Sequence, residues 1–219
     1  MLFLGDHIYQ YHLKEKKFST ITEEEGKDIV GTLVPFDHQE NLTYINDIKH
    51  IYELDDQTSR LKTVFECYTD TVISSVSHDE QGHFWIGSNF GLIHYDPVLK
   101  SRTLVPTNLF TEINMVLCDQ KGKVWIGVDN MLFAYFIKEQ KFVLFGESNG
   151  AIQNEYLPNA RLVNEQGDAY IGGVKGMLRI DGQLLLNTSE MPELQLLDIT
   201  INGESANHEW YNHPAKISV

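Results

Sequence analysis

An aromatic residue followed by Ile and Gly recurs along this chain at a nearly constant interval, and that interval constrains the fold more than any other feature. The slot reads Trp85-Ile86-Gly87, Trp125-Ile126-Gly127 and Tyr170-Ile171-Gly172, with steps of 40 and 45 residues. Tyr44 lies 41 residues before Trp85, and Tyr44 to Asp55 aligns without a gap to Trp85 to Asp96. Another 41 residues back, Phe3-Leu4-Gly5 occupies the same slot. Five occurrences in one frame, about 40–45 residues apart, are the signature of a repeat array in which each unit buries its faces against its neighbours.

Each unit reads as four antiparallel strands. An apolar strand such as Val72 to Val76, or Ile113 to Leu117, is followed by a turn of the form Asp/Asn-x-x-Gly. The acid or amide can bond the turn backbone, and Gly82, Gly122 and Gly167 supply a left-handed residue. In the second unit Asn41, also tolerant of that conformation, stands in the Gly position. The aromatic strand comes next, then a short variable turn, a third strand such as Leu92 to Tyr95, and a weaker fourth near Thr103 to Val105 or Phe142 to Phe145. The aromatic strand is apolar on both faces, Phe84 and Ile86 on one and Trp85 on the other, so it must be sandwiched between neighbours. Blades packed face to face around an axis meet that demand. No long helical periodicity interrupts the pattern, which sets α/β folds aside. The expected class is therefore all-β: a partial β-propeller of about four to five four-stranded blades. Phe3, Tyr44, Trp85, Trp125 and Tyr170, with Gly87, Gly127 and Gly172, are its structural repeat positions.

The charge balance narrows the partners. There are 31 Asp and Glu against 17 Lys and Arg, a net charge of −14, which opposes nucleic-acid backbones and anionic lipid alike. No stretch approaches the ~20 apolar residues of a membrane helix, and Met1 to Asp6 lacks the basic and apolar regions of a signal peptide. No nucleic-acid or membrane contact is expected within this stretch. Cys67 and Cys118 fall at non-matching repeat positions and read as free thiols.

The segment Gly82 to Asp96 resembles the two-component regulator propeller repeat, roughly D-x-x-G-x-L-W-I-G-T-x-x-G-L-x-x-Y-D, and Gly122 to Tyr135 is similar to it less fully, with Met131 in the second Gly slot. Ser148 to Tyr156 followed by Ala169 to Gly176 looks like the closing blade of such propellers, and Pro192 to Gly203 is similar to the opening of the Ig-like domain that follows them. The resemblance implies blades over 1–182, then a linker and the first strands of an Ig-like β-sandwich over 183–219. It also implies a periplasmic, extracytoplasmic sensor piece of a Bacteroidetes hybrid two-component histidine kinase, tuned to polysaccharide-derived oligosaccharides. The kinase itself would lie outside this stretch. Competing readings are a propeller lyase or glycosidase and a protein-interaction scaffold.

Nothing in the sequence has a catalytic signature, and no cofactor is implied. His78, Asp79, Glu80 and His83 cluster within six residues with His94 nearby, but Asp79 already serves its turn, and no metal is assigned. Function is better sought in the turns between second and third strands, where the repeat stops repeating and loops sit on a rigid scaffold. Candidate ligand contacts there are Asn89, Phe90, Asp129, Asn130 and Lys175, with Tyr156 from the closing blade. An aromatic ring beside amides suits a sugar, whose apolar face stacks while its hydroxyls bond. An incomplete ring exposes unpaired strand edges, so the isolated stretch is expected to self-associate, as the parent receptor would dimerise. Light scattering at high concentration should show dimers or larger species; a clean monomer would overturn this.

Overall fold

In a computed structural model, residues 2–4, 8–23, 34–39, 42–55, 57–184, 200–201 and 204–205 are described. The chain divides into two units, Met1–Leu184 and Leu185–Val219. The first unit is a series of five sheets. The first holds β1 (Leu2–Leu4), β2 (Ile8–His12) and β3 (Lys17–Thr20) in that order. The next contains β4 (Thr22–Glu23), β5 (Val34–Gln39), β6 (Leu42–Asn46), β7 (His50–Asp55) and β8 (Arg60–Glu66), ordered β4-β8-β7-β6-β5. The third is a plain meander of β9 (Ile73–His78), β10 (Phe84–Ser88), β11 (Gly91–Asp96) and β12 (Ser101–Leu104). The fourth repeats it with β13 (Met115–Cys118), β14 (Lys123–Val128), β15 (Met131–Phe136) and β16 (Lys141–Phe145). A short 3-10 turn at Glu147–Asn149 leads to β17 (Tyr156–Val163), β18 (Ala169–Gly173) and β19 (Gly176–Ile180). In the second unit, β20 (Thr200–Ile201) pairs antiparallel with β21 (Glu204–Ser205). Most of the stretch expected to open an Ig-like domain lies outside the described residues.

The repeat therefore folds as all-β propeller blades. One feature departs from the all-antiparallel pattern: β4 runs parallel to β8, Thr22 beside Arg60. The preceding Ile21 is fully buried with Ile45, Tyr52, Leu54 and Leu61, so the chain leaving the first blade is pinned to the outer edge of the second.

Both faces of the third blade's aromatic strand are covered. Phe84 and Ile86 pack with Ile51, Phe65 and Ile73 toward the second blade. Trp85 turns the other way and joins Ile113, Val116, Val124 and Tyr135 of the fourth blade, its ring 5.6 Å from that of Tyr135. Inner strands are stitched as well: Val116 N–H donates to Ser75 Oγ and Cys118 N–H to Ser77 Oγ, both at 3.0 Å and both 41 residues apart, one repeat. Arg161 of β17 reaches across, its guanidinium donating to Ser75 Oγ, Val76 O and Val116 O. Burial lowers its pKa to about 10, so it stays charged at neutral pH.

The glycines after the aromatic residue have a steric reason. A Cβ on Gly87 would sit 2.7 Å from Ile113 Cγ2 and 2.8 Å from Val116 Cγ2 of the next blade, and one on Gly127 would sit 3.0 Å from Tyr156 Cβ. The turn glycines Gly82, Gly122 and Gly167 serve differently, at φ of 79°, 85° and 83°. Gly87→Ala is expected to lower stability by about 1–3 kcal/mol through overpacking. Gly146→Ala, at ordinary φ with nothing within 4 Å, should be near neutral. Equal denaturation midpoints for the two variants would refute the close-approach account.

Candidate functional site

The turns between second and third strands share one end of the blades, because each blade repeats the same strand directions. Their position is set by the blade that follows. Ile73 N–H donates to Ile48 O at 2.9 Å, Ile113 N–H to Ser88 O at 3.0 Å, and Asn154 N–H to Asn130 O at 3.2 Å, so each turn docks on the entry to the next blade. Side chains reinforce the same joints. Asn89 Oδ1 accepts from Val72 N–H and its amide donates to Asp70 O. Lys49 Nζ donates to Thr69 O and Thr71 O. In the fifth blade the buried Asn154 accepts from Lys175 N–H and donates to Gly176 O, while Lys175 Nζ donates to Gln153 O.

The candidate residues accordingly separate into two kinds. Asn89 and Lys175 have their polar groups engaged within the scaffold. Tyr156 is buried, with its hydroxyl donating to Ile152 O at 3.1 Å. Phe90, Asp129 and Asn130 are exposed. Asp129 and Asn130 form the tip of the fourth blade's turn, and Asn130 borders a pocket of about 370 Å³ with Met131, Ile152 and Tyr156.

Phe90 belongs to a cleft of about 420 Å³ between the second and third blades, lined also by Phe65, Cys67, Tyr68, Thr71, Ile93, Arg102 and Leu104. Tyr68 is 69% exposed and Phe90 54%. The Arg102 guanidinium carbon lies 4.3 Å from the Tyr68 ring centroid and 5.2 Å from that of Phe65, a cation–π stack whose N–H groups extend to the cleft rim; one donates to Glu66 O. Burial pushes the Cys67 thiol up to about 11, leaving it protonated and unreactive. Among the described residues the cleft lining holds no carboxylate and no imidazole. It offers aromatic faces and guanidinium donors rather than acid/base chemistry. Tyr68 and Arg102 were not legible as site residues, because they lie in a connector and an outer strand where the repeats do not align.

A larger cavity, about 530 Å³, opens at the opposite blade end. Its cations are already used: Arg161 by the inner strands, and Lys121 Nζ by Gln166 O and Gly182 O. At that end the structure also brings Asp79, His83 and His94 together, with one ligating atom from each within 4.8 Å of the others. His78 and Glu80 of the same sequence cluster are not part of this group.

In the second blade Asp47 organises the turn. It accepts from Lys49 and His50 N–H at 2.6 Å each, and from Tyr52 Oη at 2.9 Å. Burial opposes its ionisation, but the hydrogen bonds from Lys49 and His50 outweigh this and hold its carboxyl below the ordinary 3.8. A lowered carboxyl value stabilises the fold above the unfolded value, and that contribution disappears as pH falls through the folded value. Asp47→Asn should therefore be less stable than wild type by about 1–3 kcal/mol at neutral pH. The difference should shrink below the ordinary value of 3.8. A gap between denaturation midpoints that stays constant from neutral to acid pH would contradict this.

No protein-family model matches the sequence, and no curated protein matches it either. Solved structures do share its fold. One is the extracellular domain assigned to a hybrid two-component system from B. thetaiotaomicron, at TM-score 0.60 and 17% identity over 83% of this chain and 24% of that one. Another is YCF48 bound to D1 peptide, at TM-score 0.60 and 12% identity over 82% and 60% of the two chains. A third is PorZ, a surface component of the type-IX secretion system of Porphyromonas gingivalis, at TM-score 0.55 and 13% identity over 81% and 29%. The chain spans about a quarter of the length of the first of these.

Proposed function

We propose that this chain is part of the ligand-sensing module of an extracytoplasmic two-component receptor, and that it binds a saccharide in the Tyr68–Phe90 cleft without cleaving it. In this reading the blades over 1–182 carry the ligand, and 183–219 begins the domain that relays binding toward a dimeric kinase. The fold shared with the extracellular domain assigned to a B. thetaiotaomicron hybrid two-component system supports the receptor context.

The observation that carries the ligand class is the pair of exposed aromatic rings flanking one cleft, with the Arg102 guanidinium stacked between aromatic faces at its edge. Exposed large apolar groups around a concavity mark binding sites. A pyranose ring presents an apolar C–H face to such rings, while its hydroxyls or a carboxylate accept from guanidinium N–H groups. The lining lacks the paired carboxylates that glycosidic cleavage requires, which favours binding over turnover. Asp129 and Asn130, on the next turn of the same end, extend the surface along which a longer oligosaccharide would lie.

Calorimetry of the parent receptor against oligosaccharides from partial hydrolysis of neutral and acidic polysaccharides tests the reading. Phe90→Ala and Tyr68→Ala are each expected to weaken binding about tenfold or more, about 1.4 kcal/mol. Unchanged affinity in both variants would remove the cleft as the site. New reducing ends appearing in the mixture would establish an enzyme instead.

A further inference from the structure

The turn between β9 and β10, with β11 of the same sheet, brings three ligating atoms of two kinds to one point. Asp79 lies at the turn, His83 two residues before the aromatic Trp85, and His94 directly opposite Trp85 on β11. His83 Nδ1 is 3.2 Å from His94 Nε2 and 3.8 Å from Asp79 Oδ2. A tetrahedral zinc ion with bonds of about 2.0–2.2 Å places its ligand atoms roughly 3.3 Å apart, so the first separation already fits and the second needs a shift of about half an ångström. We propose that Asp79, His83 and His94 form a site for a divalent transition metal of the zinc class, independent of the saccharide cleft at the other end of the blades.

Three surrounding features favour a cation here. First, His83 Nε2 faces Asp96 Oδ2 at 3.7 Å. A carboxylate behind an imidazole keeps the proton on the far nitrogen and turns the lone pair of Nδ1 toward His94, the arrangement that supports metal-bound histidines. Secondly, His94 is held in place by the Trp85 indole, 4.5 Å from its ring. Moving its proton from Nε2 to Nδ1 leaves both facing nitrogens with free lone pairs and changes no net charge. Thirdly, Asp79 is buried, and among the described residues its carboxylate accepts from Gln81 and His83 N–H and from the Trp85 indole but pairs with no lysine or arginine. The fourth and fifth blades do supply one in the equivalent region: Lys123 Nζ pairs with Asp119 at 2.9 Å, and Arg179 pairs with Asp168 at 2.7 Å. The third blade has imidazoles where those blades have ammonium and guanidinium, and a bound dication would supply the missing charge.

Two imidazoles and one carboxylate select zinc and its neighbours over calcium or magnesium, which take oxygen ligands. Three protein ligands leave a coordination position open. The His83 side chain is 30% exposed, so an ion can reach the cluster from solvent.

The test uses the whole chain stripped with a chelator and then titrated with Co²⁺ as a spectroscopic stand-in, and with Zn²⁺ in thermal unfolding. Wild type is expected to bind one Co²⁺ with the visible absorption of a four- or five-coordinate site, and to melt at higher temperature with Zn²⁺. His83→Gln and His94→Gln should each lose 100-fold or more in affinity, Asp96→Asn about 10–100-fold, and His78→Gln none. His83→Gln is at a partly exposed position and should fold as wild type does without metal, which keeps the test decisive if His94→Gln does not fold. No stoichiometric Co²⁺ binding by wild type, or equal binding by His83→Gln, would overturn the site.

Discussion

Everything in this structure depends on strands that are apolar on both faces. A strand such as β10, with all five of its residues buried, cannot sit at the surface of a single sheet; its two faces must be covered by two different neighbours. Phe84 and Ile86 meet the second blade and Trp85 the fourth, so the blade's identity is defined by what lies on either side of it. The glycine after the aromatic residue is the complement of that demand. Without a Cβ at Gly87, Ile113 and Val116 of the next inner strand come into contact with the backbone, and the serines Ser75 and Ser77 can then accept that strand's N–H groups. Hydrophobic contact and backbone satisfaction are thus met by one geometry where the third blade meets the fourth.

Once the strands are committed to packing, chemical freedom is left only to the ends. At the end formed by the turns between second and third strands, much of the polar equipment is still structural: Asn89, Lys49, Asn154 and Lys175 tie connectors to turns. These bonds hold the connector Cys67 to Val72 in place. That segment carries Tyr68, so the aromatic pair that borders the cleft is positioned by hydrogen bonds that do not touch the cleft itself. A rigid rim is what a binding surface needs if ordering costs are not to consume the interaction.

The division between what was legible in the sequence and what was not follows the same line. Trp85, Trp125 and Tyr170, with their turn and strand glycines, were readable because local repetition reports a local requirement: two covered faces and one left-handed turn residue. The burial of Tyr156 was not legible for the converse reason; an aromatic in a non-repeating segment gives no sign that it fills the space above Gly127. Tyr68 and Arg102 come from sequence positions 34 apart, joined only by the packing of two blades, so no spacing rule points to their stack. Arg161 is likewise invisible, since its partners lie 45 and more residues away on two other inner strands.

The third blade's turn is an intermediate case, and it shows how strand register converts sequence distance into chemistry. In the β10–β11 ladder Phe84 pairs with Tyr95 and Trp85 with His94, so one step further His83 is brought beside Asp96. Histidines eleven residues apart thereby become neighbours at 3.2 Å. The same register in the fourth blade brings Trp125 opposite Ala134, and there Lys123 takes the turn carboxylate Asp119 for itself. The consequence is visible at the indoles: Trp85 Nε1–H donates to Asp79 at 2.9 Å, whereas the buried Trp125 Nε1–H is left without a partner among the described residues. A lysine neutralises its carboxylate at the expense of the neighbouring indole. Imidazoles leave the carboxylate free to bond the indole and bond one another instead, and that is the difference between a turn closed by a salt bridge and one closed by groups that can also ligate a metal.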